Sequence, residues 1–143
     1  MDTNQTTVNS WLAHMGGLMN AELKLDSEGI CAITDKASLV VVIEIPQGSS
    51  LVHIYSPICP MLDGLEPNYT LLKRAMELNI LGLRTRGGAL GLNAERNEIF
   101  FSFTLEVDGC EAMKFSNIIQ NFMETAKTLK TDLEKTTQAL TAN

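Results

Sequence analysis

From Thr6 to Met19 the apolar side chains Val8, Trp11, Leu12, Met15 and Leu18/Met19 return at helical spacing. This predicts an amphipathic helix, with Gly16-Gly17 as a weak point or early end. The segment AELKLD then alternates briefly, and three β-rich runs follow at Gly29–Ile33, Leu39–Ile45 and Leu51–Ile58, separated by TDKAS and PQGSS. Connections this short and polar favour an antiparallel meander. In the middle run Leu39, Val41, Ile43 and Ile45 share one face, and Val40, Val42 and Glu44 share the other. Both faces are partly apolar, so the second face is expected to be covered or to bind something.

A Pro- and Gly-rich loop, SPICPMLDGLEPN, comes next. Pro67 suits the first turn of a helix running to about Asn79 or Leu81, with Leu71, Leu72, Ala75, Met76 and Leu78/Asn79 as its periodic positions. After a glycine-rich stretch, ALGLN, AERN and EIFFSFTLEV read as strand, turn and strand. Ile99, Phe101, Phe103, Leu105 and Val107 form the expected core face, and Phe100 stands on the opposite side. DGCE has the spacing of a helix start. From there Met113, Phe115, Ile118, Ile119, Phe122, Met123, Ala126, Leu129, Leu133 and Leu140 trace a long amphipathic helix. The predicted order is α-β-β-β-α-β-β-α, an α+β fold with an antiparallel sheet and three helices in one domain over residues 1–143.

Composition narrows the partners. The 143 residues suffice for a core without disulfides or metals, and 11 Lys+Arg against 17 Asp+Glu give a formal charge of −6. That sign is wrong for nucleic-acid phosphates or anionic lipid. Cys31, Cys59 and Cys110 form no CxxC pair, which fits reduced thiols in the cytoplasm. The opening MDTNQTT lacks a signal-like charged and apolar pattern, and no run approaches a membrane span. A cytoplasmic protein with no membrane insertion is expected.

The stretch LNILGLRTRGGALGLNAERNEIFF has the look of a phosphate cradle. It fails both nucleotide templates, however, because Arg86 stands where a glycine is needed and no Gly-Lys-Ser/Thr follows. An anion cradle also needs a helix N-terminus after the glycines, and a strand is predicted there. A small-ligand or nucleotide-handling enzyme using Gly87, Gly88, Gly91, Arg84 and Arg86 is therefore the alternative reading, with Arg84 and Arg86 otherwise solvated charges or contacts to an acidic partner. His14 and His53 have no metal-spaced partners, and a Cys59–His53–Asp63 nucleophile set lacks any activating motif. Glu95, Glu98, Glu106 and Asp108 fall around a hairpin, where charge blunts an exposed edge. No enzyme, cofactor or metal is expected. What stands out is apolar surface beyond a single core: Val40/Val42, Phe100, and the Leu72/Met76/Ile80 side of the middle helix. Together these favour a dimer or a peptide client.

The segment order, LDSEGICAI, LVVVIEI, HIYSPI and above all LLKRAMELNILGLRTRGGALGLNAERNEIFFSFTLEV resemble the CesT-type (Tir chaperone) family of class I type III secretion chaperones, over about Val8 to Leu133. The most distinctive positions are Leu71, Leu72, Leu78 and Asn79 at the helix end, then Gly91, Leu92 and Asn93. Two positions depart from the family pattern: Asn93, where Asp is frequent, and TAKTLK, where a late Trp is frequent. The resemblance implies a small acidic cytoplasmic homodimer of a bacterium, without catalysis, serving virulence-associated secretion. It would hold the N-terminal segment of a secreted effector in extended form around the dimer, soluble and competent for export. The secretion-apparatus ATPase is implied as a further partner. A dimeric adaptor or regulator of secretion would share the fold. The expected dimer contacts are Leu72, Met76 and Ile80. The expected effector contacts are Trp11, Met15, Val40, Val42 and Phe100.

Overall fold

The computed structural model describes residues 1–142. Their order is α1 (Thr3–Met19), β1 (Ile30–Thr34), β2 (Val40–Glu44), β3 (Leu51–Pro60), α2 (Leu65–Asn79), a 3-10 turn (Ile80–Gly82), β4 (Ala89–Asn93), β5 (Glu98–Glu106) and α3 (Ala112–Thr141). The strands form one antiparallel sheet in the order β1-β2-β3-β5-β4. The α+β class and the α-β-β-β-α-β-β-α order read from the sequence are those observed. Two compact units share the chain: Met1–Ile54 with Thr104–Phe122, and Tyr55–Phe103 with the residues from Met123 onward.

In the first unit, Asp2 caps α1. Its carboxylate accepts from the Gln5 backbone N–H at 2.8 Å, while Gln5 Oε1 accepts from the Asp2 N–H at 3.2 Å. The second Asp2 oxygen accepts from Gly48 N–H at 2.7 Å, which ties the helix start to the β2–β3 turn. These backbone donors, Gln5 first and then Gly48, hold the Asp2 carboxyl below its ordinary range. Of the apolar face predicted for α1, Val8, Trp11, Leu12 and Met15 point inward, while Leu18 and Met19 at the end of the helix are exposed. Gly16 does not end the helix. It is buried, and a Cβ there would run into the Ala21 carbonyl, because the chain folds back at Asn20 in the left-handed region (φ 57°). The alternating AELKLD segment forms no strand; it is a loop fastened by the Leu25 N–H donating to Asn9 Oδ1 at 2.8 Å. β1 and β2 pair antiparallel with Cys31 opposite Ile43 and Ile33 opposite Val41, all four buried. Leu39, Val41, Ile43 and Ile45 form the inner face, as their alternation predicts.

In the second unit, Leu71, Ala75 and Leu78 are the inward stripe of α2, and Ala126, Leu129 and Leu133 that of α3. An Arg74–Asp132 pair joins the two helices, with Nε and Nη2 donating to separate carboxylate oxygens at 2.8 and 2.7 Å. This two-pronged geometry, Arg74's hydrogen bond above all, holds Asp132 below the usual carboxylate range. β4 and β5 form the predicted hairpin, with Leu90 opposite Phe101, Gly91 opposite Phe100 and Leu92 opposite Ile99. The expected core face of the last strand is buried at Ile99 and Phe101, while Phe103 is only half-buried; beyond Phe103, in the first unit, Leu105 is half-buried and Val107, just past β5, is buried.

Candidate protein-binding surface

The glycine-rich stretch is answered by the second unit. It leads into strand β4, not into a helix, so no row of free helix N–H groups meets an anion there. A Cβ on Gly88 would strike the Phe101 ring and the Ser102 carbonyl at 2.6–2.8 Å, and Gly82 and Gly87 both take positive φ. These glycines are set by backbone proximity and left-handed turns. The Asn79 side chain, at the end of α2, donates to the Leu90 carbonyl at 2.8 Å and accepts from the Leu90 N–H at 2.7 Å. A carboxamide thereby occupies the hydrogen-bonding pair that Leu90 turns away from β5, closing part of an exposed sheet edge.

Outside that frame α2 is unusually apolar. Leu65, Tyr69, Leu72 and Met76 recur at intervals of four, three and four residues, which places them on one helix face. Leu65 is 91% exposed, Met76 70% and, just past the helix, Ile80 65%; Tyr69 is exposed and Leu72 half-buried. Leu81 and Leu83 on the following turn and Leu92 on β4 are also exposed. The outward direction expected for Met76 and Ile80 is thus observed, and the apolar surface extends well beyond the three residues singled out from sequence. Leu65 and Tyr69 are not among the periodic positions read from sequence, which begin at Leu71; carrying the Leu72/Met76 spacing back toward the helix start finds both.

The remaining expected contact residues divide. Phe100 is half-buried on the face opposite Ile99 and Phe101. Its ring stacks on Tyr55 with centroids 6.0 Å apart and an interplanar angle of 17°. The Arg96 guanidinium lies 5.9 Å from the Phe100 centroid. Gly91, opposite Phe100 in the register, carries no side chain to cover it, and nothing would lie within 4 Å of a Cβ there. In the first unit Val40 is exposed and Val42 half-buried on the outer face of β2. Trp11 and Met15 are each only 4% exposed, and Trp11 packs against Phe115 with ring centroids 5.2 Å apart. The same helical period that marked these two as contact candidates serves the core of the unit, so they present no open surface in this chain.

The enzyme-like candidates are engaged otherwise. His53 Nδ1 lies 3.2 Å from Thr104 Oγ1, and His14 is exposed. The Cys59 thiol is buried and is pushed up by that burial, opposite to what an activated thiolate requires. Among the described residues no group of three or more His, Cys, Asp or Glu is placed to hold a metal, and no helix is long and apolar enough to cross a membrane.

The family model for the Tir chaperone protein (CesT) family matches residues 10–130. The chain belongs to that family. Its fold is also that of several solved proteins at low sequence identity. The ExsC–ExsE complex aligns with a TM-score of 0.75 at 15% identity, covering 93% of this chain and 97% of the other. The HopA1–SchA chaperone–effector complex gives 0.70 at 13% identity, covering 94% and 98%. The Yersinia pestis type III secretion chaperone SycH, solved with a stable fragment of YscM2, gives 0.57 at 16% identity, covering 86% and 99%. No curated protein sequence matches the chain.

Proposed function

We propose that the chain is a type III secretion chaperone that works in the cytoplasm as a homodimer and holds an extended segment of a secreted effector. The observation that carries this reading is the CesT-family match over residues 10–130. The relatives of the same fold that were solved as a chaperone–effector complex support it. The α2 surface of Leu65, Tyr69, Leu72, Met76 and Ile80 supplies the dimer contact, because a stripe this apolar is stabilised by leaving water. The client contacts are Val40 and Val42 in the first unit and the Phe100–Tyr55 stack in the second. An extended segment gains main-chain hydrogen bonds at a sheet edge while its apolar side chains fill adjacent surface, a mode that tolerates varied client sequences. Ordering a disordered client costs about 2–5 kcal/mol, so contact area from two protomers is needed to offset it. The secretion-apparatus ATPase is a further partner in this reading.

The test is co-purification from the native cytoplasm followed by limited proteolysis. A bound protein whose N-terminal segment resists cleavage only in the complex is the expected result. A partner that is folded and equally resistant when free would instead make the chain an adaptor.

A further inference from the structure

A cleft of about 340 Å³ opens within the second unit between the turn after α2 and the middle of α3. Leu83, Arg84 and Arg86 form one wall, and Glu124, Thr125 and Thr128 the other. The turn holds its arginines firmly: Gly87 N–H donates to the Gly82 carbonyl at 3.1 Å, Gly88 N–H to the Thr85 carbonyl at 3.0 Å, and Arg86 itself takes φ 51°. The guanidinium groups are nonetheless poorly used. Arg84 reaches Asp132 Oδ2 only at 3.5 Å, an oxygen that Arg74 already holds at 2.7 Å. Arg86 forms no ion pair among the described residues. In the opposite wall the Thr125 hydroxyl is buried and has no hydrogen-bond partner.

We propose that this cleft receives a carboxylate side chain of the extended client, which makes it a second contact site within the chaperone reading above and dependent on it. Two underused guanidinium groups against one Glu124 carboxylate leave the walls with a single excess positive charge, which suits a monoanion. Glu124 disfavours a more highly charged ion such as phosphate at the same place. The exposed Leu83 side chain at the mouth matches the methylene stem that carries a glutamate carboxylate, whereas a free inorganic anion has no use for it. In a chain of net charge −6 this positive spot also selects which part of a client lies here.

The intact protein is titrated with a blocked hexapeptide of alternating Leu and Glu, with its Leu/Gln counterpart, and with inorganic phosphate. The side-chain Nε–H signals of Arg84 and Arg86 are followed by NMR. The expected result is movement of both signals with the Glu peptide, little with the Gln peptide or phosphate, and about tenfold weaker Glu-peptide binding for the Arg84→Gln/Arg86→Gln double variant. Unmoved arginine signals overturn the site. Equal movement with phosphate makes it a free-anion site, and an altered dimer dissociation constant in the double variant makes it a contact between copies; either result overturns the proposal. The peptide experiment needs no effector. Its failure is therefore separate from a failure of the co-purification test.

Discussion

Replacing Met76 with Glu tests the α2 surface most directly. Burying a methionine completely is worth about 1.5–3 kcal/mol. Met76 keeps 70% of its surface exposed in the single chain, so covering it in a dimer contributes about 1–2 kcal/mol per protomer. A two-fold axis doubles every such contact, and the loss on substitution is about 2–4 kcal/mol per dimer. Each 1.4 kcal/mol is tenfold in affinity, so dimer dissociation strengthens by about 30- to 700-fold. A glutamate in each copy of the proposed contact also leaves a charge in an apolar interface, which acts in the same direction. Sedimentation velocity over a dilution series measures the constant, and circular dichroism checks the fold. The side chain contributes little to the core of its own unit, so helix content is expected to stay as in the parent. A Met76→Glu protein that keeps the parent dissociation constant refutes the reasoning. A Met76→Glu protein that unfolds shows that the residue supports its own unit and not an interface.

Truncation of Phe100 to Ala is expected to weaken client capture by about thirtyfold, as loss of an aromatic anchor worth about 2 kcal/mol does. Losing the stack on Tyr55 lowers stability by only about 0.5–1.5 kcal/mol, so calorimetric melting and client binding measured side by side separate the two effects. Asn79→Ala removes both hydrogen bonds to Leu90 and is expected to destabilise the protein by about 1–3 kcal/mol in urea unfolding. Asn79→Asp recovers little of this, because a carboxylate accepts from the Leu90 N–H but repels its carbonyl; full recovery would contradict the clasp. The Asp132 pKa is lowered in the folded state, so its stabilising effect is fully present above the ordinary carboxylate value of 3.8 and is lost as pH falls through the lower folded value. Asp132→Asn is therefore expected to cost about 1 kcal/mol at neutral pH, after allowance for solvent screening, and to flatten the acid side of the stability profile. An unchanged acid slope would refute that assignment.

The local elements were legible because each rests on a period set by its own residues. The alternation Leu39, Val41, Ile43, Ile45 gave the buried face of β2, and the spacing of Phe115, Ile119, Phe122, Ala126, Leu129 and Leu133 gave the buried stripe of α3. The hairpin of β4 and β5 followed from alternation on both sides of AERN. Periodicity marks a face as apolar but does not say what covers it. That is why Trp11 and Met15 looked like contact residues although they are core. The Tyr55–Phe100 stack and the Arg74–Asp132 pair depend on strand and helix neighbours 45 and 58 positions apart, which no local pattern encodes. The role of Asn79 was visible only as part of a family-like motif; its cause is the approach of the end of α2 to Leu90, and that of Gly88 is the close passage of Phe101 and Ser102, neither of which sequence spacing reveals.

The interleaving of the two units has a consequence for synthesis. The ribosome delivers residues 1–54 well before Thr104–Phe122 complete the unit they belong to, and the other unit waits for the chain from Met123 onward. Neither unit is a contiguous piece, and neither has all its residues until Phe122 has been added. The inward stripe of α2, Leu71, Ala75 and Leu78, therefore emerges into the cell before the α3 segment of its own unit exists. Stalling or premature termination between about residues 80 and 122 would release a polypeptide with that stripe uncovered and unable to mature, a substrate for quality control rather than a smaller chaperone.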